Sequence, residues 1–472
     1  MRPGRAAIRY PEGTRSTARS TSIAAVRPIG SAPAPRSGSS GRCANPGSSP
    51  NTIAAASRAS VPGMEPIPVA APVGQTRSLT ASIVPAGAAR RPAGAPVRTT
   101  RPKRTLSDVG LTRVPRVPGT WSDQGMEPCD DDGSRHWAEP GLYTVAPGVY
   151  RIPLPLPNDA LRAVNVYAVT DGDSLTLVDS GWALDEARDR LAAALAGLGA
   201  GLGDIGQFLI THVHRDHYTL AVALRRESGA SIALGRGERA ALRATAAPDE
   251  HPMEDQIGLL RRAGGTPVID ALVALFDGRR PPTDRDLWEQ PDEWLDPGGR
   301  TVLPGRTLDV VHTPGHTAGH VVFADHAANL LFSGDHVLPH ITPSIGFHPA
   351  PAEQPLRDFL DSLRLLRSLP DMRMLPAHGP VTPSVHARVD ELLTHHDHRL
   401  DEIGGTVAQG NTTAYEVALR LTWTRRERTL DELDPFNQML AVLETQSHLD
   451  LLTLQNRLTT KDEDDLRHYT VP

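Results

Sequence analysis

The segment ITHVHRDHY places His212, His214, Asp216 and His217 together where a short apolar run breaks into a polar loop. Residues i and i+2 on extended backbone point the same way, so His212 and His214 can address one point. A turn after them can swing Asp216 and His217 toward a second point nearby. Neutral imidazoles and carboxylates are good ligands for zinc, and they also suit iron or manganese. Three later segments enlarge the set: VHTPGHTAGH carries His316, LLFSGDHV carries Asp335, and MLPAHGP carries His378, each where a β-rich run ends. Such a set is about what two divalent metal ions sharing one bridging carboxylate require.

Two metals about 3.5–4 Å apart acidify a water they share, and the resulting bridging hydroxide attacks a carbonyl or phosphoryl centre. The metals also stabilise the oxyanion that develops. Asp216 and Asp335 would orient that hydroxide, which makes them the expected catalytic carboxylates. No Ser-His-Asp arrangement stands out. Hydrolysis follows from such a site; the substrate does not.

Delivering these ligands to one place requires strands that end along a common edge. The runs YTVAPGVYRIPL, AVNVYAVTDGD, SLTLVDSG, GQFLITH, TLDVVHT, GHVVFAD, NLLFSGD and RMLPAHG are β-rich and punctuated by Gly, Asp or Pro. Between them, ALDEARDRLAAALAGLG, TLAVALRRESG and QPLRDFLDSLRLLRSLP have apolar residues three and four apart, the helical period. The alternation predicts an α/β chain with helices covering sheet layers. Residues 236–299 read as an insertion and a candidate lid, with a helical first half and a polar loop around Trp288 and Trp294. After Pro383 the chain reads as mostly helical. The expected division is a tail over 1–125, a metal hydrolase domain over 126–383 and a helical extension over 384–472.

Charge separates the tail from the rest. Residues 1–125 hold 18 Arg or Lys against 4 Asp or Glu, a balance of +14, and the remainder holds 31 against 51, a balance of −20. The tail is Arg, Ser, Ala, Pro and Gly without periodicity, so it cannot bury enough apolar surface to order itself. It is expected to be disordered, as a nucleic-acid arm, a transit leader, or upstream sequence preceding a true start at Met126. The last is favoured, because Lys103 and Lys461 are the only lysines and such Arg bias marks GC-rich coding sequence. Two cysteines, Cys43 and Cys129, exclude a disulfide framework. No apolar run is long enough to cross a membrane. A cytoplasmic protein acting on a small molecule is expected, with oligomeric state unreadable.

Asp179 in LVDSG, then HVHRDH, His316, Asp335 and His378, in that order, resemble the metallo-β-lactamase superfamily over roughly residues 145–385. The resemblance implies an αββα sandwich. It assigns His212, His214 and His316 to one metal and Asp216, His217 and His378 to the other, with Asp335 bridging and Asp179 orienting a ligand histidine from behind. Two zinc ions lead, with iron or manganese as alternatives. Both cysteines lie upstream of every ligand, so the zinc β-lactamases that use a cysteine ligand do not fit. HRDHY also departs from the Gly-Gly that follows this motif in glyoxalase II-like thioesterases. The stretch after His378 resembles the winged-helix-like extension of the beta-lactamase-like protein 2 group, whose relatives include RNA-cleaving and thioester-cleaving hydrolases.

What the resemblance implies is a dinuclear hydrolase of a small ester or thioester, of acyl-glutathione, acyl-CoA or lactone type. A phosphodiesterase or endoribonuclease is the first alternative. Arg425, Arg426 and Arg428 would serve it, but the −20 balance argues against nucleic acid and favours a solvated face. Iron-dependent persulfide dioxygenase chemistry is the second, and a non-enzymatic nucleic-acid module would leave the ligands unexplained. Tyr218 and His340 are candidates for substrate contact, each with packing or structure as the competing role. His395, His396 and His398 read as a solvent-facing cluster on a helix.

Overall fold

The computed structural model describes residues 125–472, apart from 158–160, 173, 247–253, 276–284, 304 and 351. The basic tail up to residue 124 lies outside the described residues, and the reading of that tail as upstream of a start at Met126 falls there with it.

Two sheets face each other. The first has eight strands in sequence order: β1 (Pro128–Asp130), β2 (Leu142–Ala146), β3 (Val149–Pro155), β4 (Ala163–Asp171), β5 (Ser174–Val178), β6 (Ile205–Ile210), β7 (Ser231–Gly235) and β8 (Glu293–Leu295). The second has five, running β13 (Arg373–Pro376), β12 (Leu330–Gly334), β11 (Val321–Asp325), β10 (Arg306–His312) and β9 (Arg300–Leu303) across the sheet. Helices α1 (Asp185–Gly197) and α2 (Arg215–Ser228) cover the outer face of the first sheet. The outer face of the second is covered by α6 (Pro355–Ser368), α7 (Val385–Ala408) and α9 (Pro435–Leu454).

The period of two along each strand builds these layers. On β11, Val321 and Phe323 enter the apolar layer between the sheets, while Val322 and Ala324 meet the outer helices. On β6, Leu209 faces the inner layer, and Phe208 and Ile210 face α1 and α2. Both faces are buried, so these strands read as continuous apolar runs rather than as alternating ones. The result is the expected αββα sandwich.

The insertion differs from its sequence reading. The helical part holds α3 (Arg239–Ala246), α4 (Glu254–Arg262) and a further helix α5 (Thr266–Leu275). Leu260, Ala263, Val268 and Leu272 belong to the same apolar cluster as α7 and α9. The stretch expected as a polar loop contains β8, which pairs parallel to β7 at the sheet edge. Three residues bounded by charges carry too little periodicity to be seen in sequence. The C-terminal region likewise ends not in helix but in a hairpin, β14 (Thr459–Glu463) with β15 (Leu466–Thr470), after the short α8 (Ala414–Ala418) and α9.

The histidine cluster on α7 is also corrected. His395 and His398 are exposed, but His396 is fully buried, 3.1 Å from Nε2 of His448 on α9 through its Nδ1. His448 Nδ1 donates in turn to the Glu444 carbonyl at 2.8 Å. Burial pushes the nearby Glu444 carboxyl up to about 7, against a partial offset from Arg399. A folded-state value above the unfolded 4.5 means that stability from this group is complete below pH 4.5 and is lost as pH rises through about 7. At pH 8 the ionised carboxylate therefore costs up to about 3 kcal/mol. Glu444→Gln is expected to melt several degrees above the parent at pH 8 and alongside it at pH 4.5. Equal shifts at both pH values in calorimetry would refute this.

Candidate metal centre

Four of the candidate ligands sit just beyond strand ends. His212 follows β6, His316 lies in the loop between β10 and β11, Asp335 follows β12, and His378 follows β13. The helix after His212 begins earlier than its sequence suggests: α2 starts at Arg215, with His214 as its N-cap residue. Asp216 and His217 thus occupy the first helical turn, where the helix dipole favours a carboxylate.

The side chains converge in two groups. His212, His214, His316 and Asp335 bring one ligand atom each within 4.8 Å of one another, and so do Asp216, His217 and His378. Within the first, His316 Nε2 lies 3.1 Å from His214 Nδ1, close to the spacing of about 3.3 Å expected of two nitrogens on one tetrahedral ion. Asp335 stands between the groups. Its Oδ2 is 3.9 Å from His212 Nε2, 3.7 Å from His217 Nε2 and 3.6 Å from His316 Nε2, and its Oδ1 is 3.4 Å from His378 Nε2.

The opposite ring nitrogens are tied down from behind. His316 Nδ1 donates to the Ser344 carbonyl at 2.8 Å, and His378 Nδ1 to the Ala163 carbonyl at 2.8 Å. Asp179 reaches two of the candidate ligands, His217 directly and His212 through Thr211. Its Oδ2 accepts from His217 Nδ1 at 2.9 Å, and its Oδ1 accepts the Thr211 amide at 2.8 Å. The Thr211 hydroxyl lies 3.0 Å from Asp179 and 3.1 Å from His212 Nδ1. That hydroxyl has one proton, which the carboxylate takes, so His212 Nδ1 is a donor and its Nε2 is a bare lone pair. Asp179 holds this position in the left-handed region, at φ 59°, which Asp tolerates better than most residues.

Buried polar atoms are normally paired. Here Nε2 of His212, His217 and His378, together with Asp335 Oδ1, is buried without a hydrogen-bond partner. Burial pushes His212, His214 and His316 below the ordinary histidine value, leaving neutral donors. The second group behaves differently. Burial opposes charge on His217, but Asp216, Asp179 and Asp335 outweigh it and raise the imidazole to about 9. His378 is likewise raised against burial, chiefly by Asp335. Burial opposes ionisation of Asp216 and Asp335 too, yet the facing histidines hold both below the usual carboxylate range. Protons on His217 and His378 stand where the carboxylates call for cations. The donor set, imidazole and carboxylate with unpaired atoms facing inward, fits divalent metals of the zinc type.

Two features were missed in the sequence. His320, the last histidine of HTPGHTAGH, accepts the Asp335 amide at Nε2 (3.2 Å), while its Nδ1 pairs with Thr313 Oγ1 at 2.9 Å. It sets the backbone that presents Asp335, and its place in a His-rich segment was the available signal. Gly334, at φ 51°, is required beside it, because a Cβ there would lie 2.7 Å from His320 Nε2 and 2.8 Å from Thr211. Glu238 and His348 are both buried and 3.3 Å apart, and the His348 ring lies 6.5 Å from that of His214. No pattern near Glu238 marked it.

The two substrate-contact candidates part ways. Tyr218 is fully buried, its hydroxyl donating to the Glu289 carbonyl at 2.5 Å and its ring stacked near Trp288. Its polar atom is used in joining α2 to the insertion. His340 is exposed on the loop after Asp335. Arg425, Arg426 and Arg428 are exposed and have no carboxylate partner among the described residues, as a solvated face would.

The sequence profile of the metallo-beta-lactamase superfamily matches residues 159–378, a span that includes every candidate ligand above. The chain is 25% identical over 338 residues to the probable metallo-hydrolase YqjP of Bacillus subtilis, covering 66% of this chain and 93% of that protein. It is 26% identical over 256 residues to an atrochrysone carboxyl ACP thioesterase of Aspergillus fumigatus, covering 54% and 47%. The chain spans less than half the length of some curated relatives it matches. A metallo-beta-lactamase family protein of Thermus thermophilus superposes with TM-score 0.57 at 27% identity, over 70% of this chain and all of that one. Fold, sequence profile and relatives agree that residues 159–378 form a domain of the metallo-β-lactamase superfamily, a family of metal-dependent hydrolases.

Proposed function

We propose that the chain is a dinuclear hydrolase of small esters and thioesters. His212, His214 and His316 would hold one ion, Asp216, His217 and His378 the other, and Asp335 would bridge. The observation that carries this reading is the placement of Asp335 between two clusters of inward-facing, unpaired ligand atoms. Bound divalent metals, zinc foremost, would supply an acidified water and a polarised substrate carbonyl. The chain's own residues do the rest. Asp216, kept ionised, accepts a hydrogen bond from the attacking water at its carboxylate and fixes its direction. Asp179, Ser344 and Ala163 hold the imidazoles so that each presents its lone pair inward.

The thioester preference rests on the relative named as an acyl-carrier thioesterase. Arg215 adds an anion handle for a substrate of acyl-CoA or acyl-glutathione type. It lies between two proposed ligands, is exposed, and rests 5.1 Å over the Trp182 ring, with no carboxylate partner among the described residues. No described helix is long and apolar enough to cross a membrane.

The test is a hydrolysis panel on zinc-loaded protein: acyl-CoA and acyl-glutathione thioesters, lactones, a phosphodiester and single-stranded RNA. Thioesters with anionic handles are expected to turn over at least tenfold faster than neutral ones, and Asp216→Ala is expected to abolish turnover. Cleavage of RNA alone would replace the thioester reading with the nuclease one. Full activity and full metal content in Asp216→Ala would refute the site.

A further inference from the structure

Residues 336–350 form a strap without regular secondary structure between Asp335 and α6. A compact domain rarely carries so long an irregular segment without a functional reason. The strap has no ladder to satisfy its backbone, so its carbonyls need other donors. From one side they serve the metal centre. The Ser344 carbonyl accepts from His316 Nδ1 at 2.8 Å, and Pro339 packs so closely on Gly379, beside His378, that a Cβ there would lie 2.4 Å from its ring.

From the other side they are held by α4, α7 and α9. Arg388, on the first turn of α7 and 15% exposed, donates from Nε to the Leu338 carbonyl at 2.7 Å and from Nη2 to the Ile341 carbonyl at 3.1 Å. Its third nitrogen faces Glu391. Gln256 on α4 donates to the His348 carbonyl at 2.8 Å. The Phe347 ring meets Phe436, at the start of α9, edge-on at 5.4 Å. Of these three contacts, the Arg388 fork alone grips two carbonyls, and they bracket Pro339 and the exposed His340.

We propose that Arg388 is a positioning residue of the hydrolytic site, by which the C-terminal helices set the strap that orients His316, backs His378 and presents His340. The physical case is the rigidity of the guanidinium. Its nitrogens lie in one plane, so two simultaneous bonds fix the direction of the strap as well as its distance. A lysine supplies one point contact and fixes distance alone. The chain acts through Ser344: a strap that drifts loosens the acceptor behind His316 and so lowers the affinity of the first ligand group for metal. Partners of this kind typically change metal affinity by about 10–100-fold when removed. This role rests on the ligand sites proposed above, but not on the substrate they act on.

The experiment uses the full chain and three readouts. Zinc affinity is measured by competition with a chromophoric chelator, and hydrogen exchange over 336–350 is measured on metal-free protein. Hydrolysis follows on whichever substrate the panel identifies. Arg388→Ala is expected to weaken one of two zinc ions about tenfold or more, to speed exchange in the strap, and to raise KM more than it lowers kcat. Arg388→Lys is expected to fall between, and Arg364→Ala, which breaks only an exposed pair with Asp361, should match the parent. Wild-type zinc affinity and wild-type strap exchange in Arg388→Ala would overturn the proposal, whatever the substrate proves to be. If that variant does not fold, Arg388→Lys decides: parental exchange and affinity overturn it, and an intermediate loss confined to the strap and one zinc supports it. Absence of any turnover with two zinc ions bound would count against the thioester reading and leave this result standing.

Discussion

Asp335→Ala is expected to bind no more than one metal per chain and to lose about three orders of magnitude or more in kcat/KM, since metal polarisation contributes several kcal/mol and each 1.36 kcal/mol is tenfold. The reason lies in its position. One carboxylate lies within 3.9 Å of four imidazole nitrogens drawn from both ligand groups, so removing it takes the shared ligand from each. It also removes the anion that helps keep His378 and His217 charged when no metal is present. Asp335→Asn keeps the shape but not the charge and is expected to fall between. Elemental analysis and steady-state kinetics on the same preparations decide. Two tightly bound metals with parental kinetics in the alanine variant would show that Asp335 does not bridge.

The second large effect belongs to Asp179, which touches neither ion in the proposed scheme. Its carboxylate satisfies the Thr211 amide, the Thr211 hydroxyl and His217 Nδ1, all buried. Asp179→Ala leaves these donors without an acceptor, and breaking a buried charged network of this kind costs about 3–5 kcal/mol. It also frees two imidazoles to turn, so zinc affinity should fall by about 10–100-fold. Asn at this site accepts the left-handed backbone but offers one acceptor oxygen in place of two, so its losses should be smaller in both measurements. Urea midpoints of metal-free protein separate the stability loss from the affinity loss. A variant that loses stability yet binds zinc as the parent does would confine Asp179 to the fold.

The candidate ligands were legible because each lies beside a feature with a local signal. His212, His316, Asp335 and His378 follow apolar strands, and glycine or proline marks most of the turns. The inner strands were legible for a related reason, since continuous apolar runs need no knowledge of the partner sheet. Where local signal was thin, reading failed. β8 is three residues long and flanked by charges. His396 shares a charged helix with His395 and His398, and only its facing toward His448 takes it out of solvent. Tyr218 sits one residue from a ligand, but its helical direction carries it to Glu289 and Trp288.

The hydrolase fold family and the candidate ligand set were therefore determined by the sequence alone, because residue identity, order and strand-end context are local properties. Tertiary structure decided which atoms of those ligands are free. The Thr211 hydroxyl on Asp179, the carbonyl of Ser344 behind His316, and the amide of Asp335 on His320 all join residues with no fixed spacing. A hydrogen bond between distant segments depends on where two strands end in space, and the residue types along one of them carry no record of it. Arg388 is the clearest case: in sequence it is one of two arginines on an amphipathic helix, and only the fold puts its two donors under the strap that reaches the candidate ligands.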